Sequence, residues 1–272
     1  MYLVDYHVHT IRCGHACGDD REYIEVAIAK GLKEIGFSDH VPRFYSPPNP
    51  NLPVTERGMD EVELEGYVES VLKYRSEYKE IKIKLGLEID YVPGWEERIE
   101  EFAKKYPWDY LIGSVHFVPE WNYEYILREK EHGPEEIFPR YFALVAEAAE
   151  SGLFDILGHI DLPKRAFRTL SPEVMQELYQ QLSRRIGTSA VVELNSYGIR
   201  SSKLGNGEIY PNLELLKLCR HNNVKVTLGS DAHRPQDVGT DYDKVSEILE
   251  AAGYDQIVTF NGRKQELQSW KA

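Results

Sequence analysis

Two short stretches near opposite ends of the chain set metal-binding side chains at alternate positions: Asp5-Tyr6-His7-Val8-His9 and Gly229-Ser230-Asp231-Ala232-His233. Residues two apart on a β-strand project to the same side, so His7 and His9 can reach one cation, and Asp231 with His233 repeats the device. Between them lie His15, His40 in Phe37-Ser38-Asp39-His40, Glu88 in Leu85-Gly86-Leu87-Glu88-Ile89-Asp90, His116 and His159. His7, His9, His15, His40, Glu88, His116, His159, Asp231 and His233 are too many ligands for one tetrahedral ion, which implies two or three. Closely spaced divalent cations can neutralise charged oxygens and lower the pKa of bound water, which is the chemistry of metal-assisted hydrolysis. Taken singly, His40, His116 or His159 could equally be a hydrogen-bonded core residue or a solvated one. Their shared position at predicted strand ends favours a common site. His132 and His221 close no predicted strand and read as surface residues.

The elements that must position these groups alternate between short β-branched runs and amphipathic, charge-studded stretches, the pattern of repeated βα units. Strands are predicted over residues 2–7, 34–39, 81–89, 110–117, 154–160, 190–195, 225–230 and, as an eighth, 256–260. Helices are predicted over 21–30, 61–78, 95–105, 135–150, 172–186, 213–221 and 242–251. Ser171-Pro172 and Gly133-Pro134 are start signals, and Gly31, Gly152 and Gly253 sit where helices should stop. Seven or eight such units suggest a closed α/β barrel, whose chemistry would lie at the carboxyl ends of its strands and whose first and last strands would be neighbours. A chain of 272 residues fits a single barrel domain spanning residues 1–272. The loop from Val41 to Gly58 carries five prolines and exceeds a plain connector, so it is expected to line or cover a site.

Composition narrows the function classes. The chain has 45 acidic against 32 basic residues, a formal net charge of -13, which makes nucleic acid a poor general partner. The N-terminal MYLVDYHVHT is not a secretory signal, and no run of ~18 apolar residues occurs, so a cytoplasmic enzyme without a membrane partner is expected. Three cysteines, Cys13, Cys17 and Cys219, are too sparse for a disulfide framework. Cys13 and Cys17 flank His15 without CxxC spacing or a second pair, and read as spectators rather than as a zinc-finger site.

The ligand series resembles the polymerase-and-histidinol-phosphatase (PHP) family: an HxH on the first strand, single histidines, a carboxylate and a terminal DxH, matched from residue 5 to about 239. Within that family the chain is most similar to the histidinol-phosphatases, through Cys13-Gly14-His15-Ala16, Ile35-Gly36-Phe37-Ser38-Asp39-His40, Gly158-His159-Ile160-Asp161, Glu208-Ile209-Tyr210-Pro211 and Ser230-Asp231-Ala232-His233-Arg234-Pro235. The resemblance implies a distorted (βα)7 TIM-like barrel holding three divalent transition-metal ions. It further implies that His7, His9, Glu88 and Asp231 hold one ion, Glu88, His116 and His159 a second, and His15, His40 and His233 a third, with Glu88 bridging the first two. Zinc, iron(II) and manganese all suit such donors, and the sequence does not choose among them. The implied substrate is L-histidinol phosphate.

For the reaction, a hydroxide between two cations is the expected nucleophile, with in-line displacement of the alcohol and no phosphoenzyme. Asp161 and His233 are the candidate catalytic residues beside the ions. Asp161, two residues past His159 on an assumed common strand face, would protonate the leaving group or orient a ligand; pairing with Lys164 or Arg165, or capping a helix, is an equal alternative. Arg200 and then Arg165 are the candidate phosphate forks, since a guanidinium matches paired phosphate oxygens. Glu193 could hold the substrate ammonium, and the segment from Arg200 to Pro211, with Tyr210, could fold over the site. Two rivals remain open: a PHP phosphoesterase for another small phosphate monoester, nucleotides or nucleic-acid ends, which a turnover comparison would separate, and a non-catalytic metal-binding module, which metal-loaded protein without turnover would favour. The sequence is silent on oligomeric state.

Overall fold

The computed structural model describes residues 1–42, 58–201 and 207–271, so most of the proline-rich loop and residues 202–206 fall outside the described residues. In chain order, β1 (Val4–Val8), α1 (Asp20–Ala29), β2 (Glu34–Phe37), α2 (Glu61–Glu77), β3 (Lys82–Leu85), β4 (Glu88–Asp90), α3 (Glu96–Ala103) and β5 (Ile112–Ser114) make up the first half. A small hairpin of β6 (Phe117–Val118) and β7 (Glu124–Tyr125) then precedes α4 (Pro134–Ser151), β8 (Ile156–Leu157) and α5 (Pro172–Ile186). The chain continues through β9 (Val191–Asn195), α6 (Tyr197–Ser201), α7 (Leu213–His221), β10 (Lys225–Gly229), α8 (Tyr242–Ala252), β11 (Gln256–Asn261) and β12 (Lys264–Ser269).

Two parallel sheets form the frame, one ordered β1-β2-β3 and the other β10-β9-β8-β5-β4. They meet twice. β3 runs into β4 beside the β2 chain end, where His40 bridges Glu88 in parallel. At the other edge Val8 bridges Ala232, the Ala232 N–H donating to His7 O at 3.1 Å and the His9 N–H to Ala232 O at 2.9 Å. All five residues of β1 and of β9 are buried, as expected of parallel strands covered on both faces.

Local signals explain the helix limits. Asp19 and Glu22 form a capping box at the start of α1, Asn212 accepts from the Leu215 N–H at the start of α7, and Gly152 and Gly253 end α4 and α8 with φ of 67° and 81°. Glycine at position 86, where β3 passes into β4, makes room for an aromatic core residue: a Cβ there would stand 2.3 Å from the Tyr110 ring, whose hydroxyl donates to Tyr6 O at 2.7 Å. No described helix is long and apolar enough to cross a membrane.

The predicted eighth unit is corrected. Residues 256–261 form an antiparallel hairpin with 264–269, because Asn261 and Lys264 flank a two-residue turn, Gly262-Arg263, in which both residues have positive φ. The hairpin packs against the chain where the parallel strands begin: Phe260 lies 5.8 Å from Tyr6 and 5.9 Å from Tyr110 between ring centroids. Sequence reading also missed α6, a single turn too short to show periodicity, and the β6–β7 pair.

Candidate metal and phosphate site

Glu88 is the centre of the site. It does not end a strand, as the sequence suggested, but opens β4 after the break at Gly86-Leu87, which brings it under the imidazoles arriving from the other strands. Its Oε2 faces His40 Nδ1 at 2.9 Å, His7 Nε2 at 3.4 Å and His9 Nε2 at 3.6 Å. Its Oε1 faces His159 Nε2 at 3.2 Å and His116 Nε2 at 3.8 Å, and accepts from Ser114 Oγ at 2.6 Å. Asp231 Oδ1 stands 3.3 Å from His9 Nε2 and 3.9 Å from His7 Nε2. His233 and His15 approach with 2.9 Å between their Nε2 atoms. The structure therefore gathers all nine sequence-selected ligand residues into one cluster.

Within it, the donor atoms of His7, His9 and Glu88, of His7, His159 and Asp231, of Glu88, His116 and His159, and of His15, His40 and His233 lie within 4.8 Å of one another. So do those of His9, Cys13 and His233, which puts Cys13, read from sequence as a spectator, against the cluster. Its Sγ accepts the Ala16 N–H at 3.3 Å.

The backbone is shaped for this purpose. His159 and Asp231 adopt φ of 24° and 52°, left-handed values that non-glycine residues hold only when their surroundings enforce them. One enforcing group is Asp5, wholly buried, whose carboxylate accepts the N–H groups of Ser230 and Gly239, both at 2.8 Å. An outer layer fixes the rings. Glu193 Oε1 meets His7 Nδ1 at 2.7 Å, Asp90 Oδ1 meets His116 Nδ1 at 2.9 Å, and backbone carbonyls of Cys13 and Asp231 meet the Nδ1 atoms of His15 and His233, each at 3.1 Å. An Nδ1–H held this way leaves Nε2 with its lone pair toward the cluster.

Electrostatics and hydrogen bonding both fit a cation. Among the described residues, His7 Nε2, both ring nitrogens of His9, His159 Nδ1 and Glu88 Oε2 are buried without a hydrogen-bond partner, although buried polar atoms are ordinarily satisfied. Burial alone would raise the Glu88 carboxyl, but the charges of His7, His40 and His116 outweigh it and hold its pKa well below the usual range. For Asp231, burial is likewise outweighed, by His7, His9 and His233. Conversely, burial works to lower His9, yet Asp231, Asp39 and Glu88 raise it to about 9. Imidazole and carboxylate donors clustered in this way fit divalent transition metals.

Above the cluster opens a cavity of about 700 Å³, lined by His15, His40, Glu88, His116, His159, Asp231 and His233 on one side and by Arg165, Arg200, Arg128, Arg234, Tyr125 and Tyr197 among others. Arg165 donates through Nε to Ser201 O at 3.3 Å, and Arg200 through NH2 to Ser230 O at 2.7 Å. Both sequence-selected arginines thus reach the cavity.

Three other selected residues do not line it. Asp161 was placed on the strand face of His159, but β8 stops at Leu157, so the alternation of sides no longer holds. Instead its buried Oδ2 accepts from Lys164 Nζ at 2.7 Å and from the Asn212 N–H at 2.9 Å, the alternative pairing open at the sequence level. Glu193 is engaged with His7, the His159 N–H at 3.1 Å and Asn195 Nδ2 at 3.0 Å rather than with the cavity. Tyr210 is buried, its backbone paired with Asn195 and its ring 5.1 Å from Lys164 Nζ. His221 is exposed as expected, while His132 is half-buried and stacked on Trp121 at 4.0 Å. Tyr197, Asp90 and Asp39 were missed. For Tyr197 the available signal was its spacing of three from Arg200, which puts the two on one side of a helical turn.

A family model described as PHP domain matches residues 5–197. The probable histidinol-phosphatase of Deinococcus radiodurans is 35% identical, the alignment covering 97% of this chain and 98% of that protein. The histidinol-phosphatase of Bacillus subtilis is 30% identical, with 91% and 99% covered. In fold, the chain is similar to the crystal structure of histidinol phosphate phosphatase from Lactococcus lactis complexed with zinc, L-histidinol and phosphate, with a TM-score of 0.80 at 23% identity over 97% of this chain and 98% of that one.

Proposed function

The chain belongs to the PHP domain family, and on that premise we propose that it is a histidinol-phosphatase, hydrolysing L-histidinol phosphate to L-histidinol and inorganic phosphate. The observation that carries this reading is the joining, in one cavity, of a cation-seeking cluster with two guanidinium forks.

His7, His9, Glu88 and Asp231 would hold one divalent cation, Glu88, His116 and His159 a second, and His15, His40 and His233 a third. Support comes from the close donor groups His7-His9-Glu88, Glu88-His116-His159 and His15-His40-His233, while the groups His7-His159-Asp231 and His9-Cys13-His233 join neighbouring sets. Bound there, such cations, of the zinc, iron(II) or manganese kind, supply neutralisation of the phosphoryl oxygens and acidification of a coordinated water. Arg165 and Arg200 would bind the phosphate oxygens from the cavity wall, orienting the ester toward the cluster. Glu193 and Asp90 would keep His7 and His116 in the tautomer that offers Nε2. His233, on the cavity surface, stays a candidate at the reacting centre.

Asp161 is assigned an anchoring part, as its bonds to Lys164 and the Asn212 N–H tie residues 161–165 to the segment that follows Tyr210. Tyr210 packs behind His159, 6.5 Å between centroids. With β3 and β4 taken as one interrupted strand, the eight parallel strands would form the seven staves of a distorted barrel, a reading supported by the bridge between Val8 and Ala232 and by the β3–β4 continuation. A cytoplasmic biosynthetic enzyme fits these features.

The test is phosphate release from L-histidinol phosphate by the full chain as purified, after chelation and after metal is restored, beside nucleoside monophosphates and a short oligonucleotide. We expect turnover of histidinol phosphate that vanishes on chelation and returns with metal. A clear preference for the oligonucleotide, or no monoester hydrolysis by metal-loaded protein, would overturn the proposal.

A further inference from the structure

Both candidate phosphate arginines meet the same aromatic ring. The guanidinium carbon of Arg165 lies 4.9 Å from the centroid of Tyr197, and that of Arg200 lies 5.0 Å from it. Arg165 NH2 also approaches the Tyr197 hydroxyl at 3.4 Å. The ring lines the cavity, 6.2 Å from that of His233 between centroids, and so stands beside the imidazole cluster as well as beneath the arginines.

The ring is itself firmly placed. Tyr197 opens α6 directly after β9, and its N–H donates to Asn195 Oδ1 at 2.9 Å, while Asn195 is fixed by pairing with Tyr210 and by its own bond to Glu193. The arginines have separate anchors, Arg165 Nε on Ser201 O at 3.3 Å and Arg200 on Ser230 O at 2.7 Å and Ser196 Oγ at 3.5 Å, but it is the Tyr197 ring that touches both. Among the described residues Arg200 Nε has no hydrogen-bond partner, and it stands 3.9 Å from Asp237, a carboxylate toward which a loosened guanidinium would turn. Two like charges on long, rotamer-rich side chains must also share one cavity wall, and a π-face attracts each of them while preserving the planar edge that grips phosphate.

We propose that Tyr197 is a positioning residue that holds Arg165 and Arg200 as one phosphate-binding pair through its ring rather than its hydroxyl. The inference rests on the reading of this cavity as a phosphate-monoester site, but its test need not involve turnover. The chemistry recognised is a phosphate dianion, for which inorganic phosphate is the probe.

The experiment is calorimetric titration of inorganic phosphate into the metal-loaded full chain, for wild type, Tyr197→Phe and Tyr197→Leu, with metal content checked in each. Tyr197→Phe keeps the ring and should bind phosphate within about twofold of wild type. Tyr197→Leu removes the ring and should bind on the order of tenfold more weakly with metal content unchanged. In turnover, the Leu variant should raise KM for histidinol phosphate by a similar factor and the Phe variant should rescue it. Should Tyr197→Leu fail to fold, Tyr197→Met removes the ring at similar volume and is read in the same way.

Equal phosphate affinity in the Leu or Met variant and wild type would overturn the proposal. So would a Phe variant as weak as Leu, or a metal-loaded wild type with no measurable phosphate affinity. A wild type that binds phosphate in this ring-dependent way yet does not hydrolyse histidinol phosphate would refute the functional reading and leave the clamp intact.

Discussion

Buried carboxylates stand both at the cavity and beneath it, where the parallel strands begin, and the two sets are neutralised in opposite ways. Beneath, Glu34 accepts the hydroxyls of Tyr2 and Tyr6, each at 2.6 Å, and pairs with Lys82 at 3.1 Å and Lys84 at 3.7 Å. Asp109 takes Arg75 and the N–H groups of Leu85 and Gly262, and Asp155 takes Arg263 and the Leu111 N–H. At the cavity, Glu88 and Asp231 instead face imidazoles whose inward nitrogens have few protein partners. The lower carboxylates are satisfied within the chain and serve the fold, whereas the upper ones need a positive charge the chain supplies only by protonating histidines. This difference separates a structural network from a binding site.

The contrast breaks most sharply at its two central residues. Glu88→Gln should lower kcat/KM by more than the ~100-fold typical of losing an outer partner of a metal ligand, with loss of bound metal, as paired kinetics and elemental analysis would show. Were activity to survive, the upper set would be structural after all. Glu34→Ala should leave the metal content and specific activity of folded protein intact and cost about 3 kcal/mol of stability, by leaving the buried Tyr6 hydroxyl and the largely buried Lys84 ammonium without their partner while the exposed Lys82 turns to water. Denaturant unfolding followed by assay measures both.

A finer test lies between the regions. At Gly229 an added Cβ would meet Glu193 Oε1 at 1.9 Å and His7 Cβ at 2.7 Å, so Gly229→Ala should displace the pair that orients His7. We expect a ~10 to 100-fold fall in activity or metal affinity, as for other outer partners; a neutral outcome would deny Glu193 its orienting part. The smallest effect concerns protons. With cation absent, the neighbouring carboxylates hold the proton on His9 up to about 9 and on His7 well above its ordinary value, so a cation must displace these protons and affinity should keep rising with pH well past 6.5. Metal titrations at stepped pH would reveal a plateau near 6.5 if the neighbouring carboxylates do not act as described.

Much of the site was legible because its signals are local. The HxH of β1 needs only strand alternation, and parallel strands gather their far-apart ends without any further sequence cue. What was not legible depended on where strands stop. Asp161 was misplaced because β8 ends two residues before His159, and the 256–260 run looked like another unit because a buried strand reads alike in a parallel sheet and in a hairpin. Glu193 lies on the same strand as Asn195, and nothing in sequence says that its carboxylate meets an imidazole 186 residues away instead of substrate. Tyr197 could be tied to Arg200 by spacing, but not to Arg165, which only the fold brings near.

The central claim, that these imidazoles and carboxylates act together to hold cations, is most directly tested by elemental analysis of the wild-type chain beside the double variant His7→Ala/Asp231→Ala, each confirmed as folded. The account predicts more than one equivalent of divalent transition metal in the wild type and a marked loss in the variant. Equal metal content in the two proteins would contradict it.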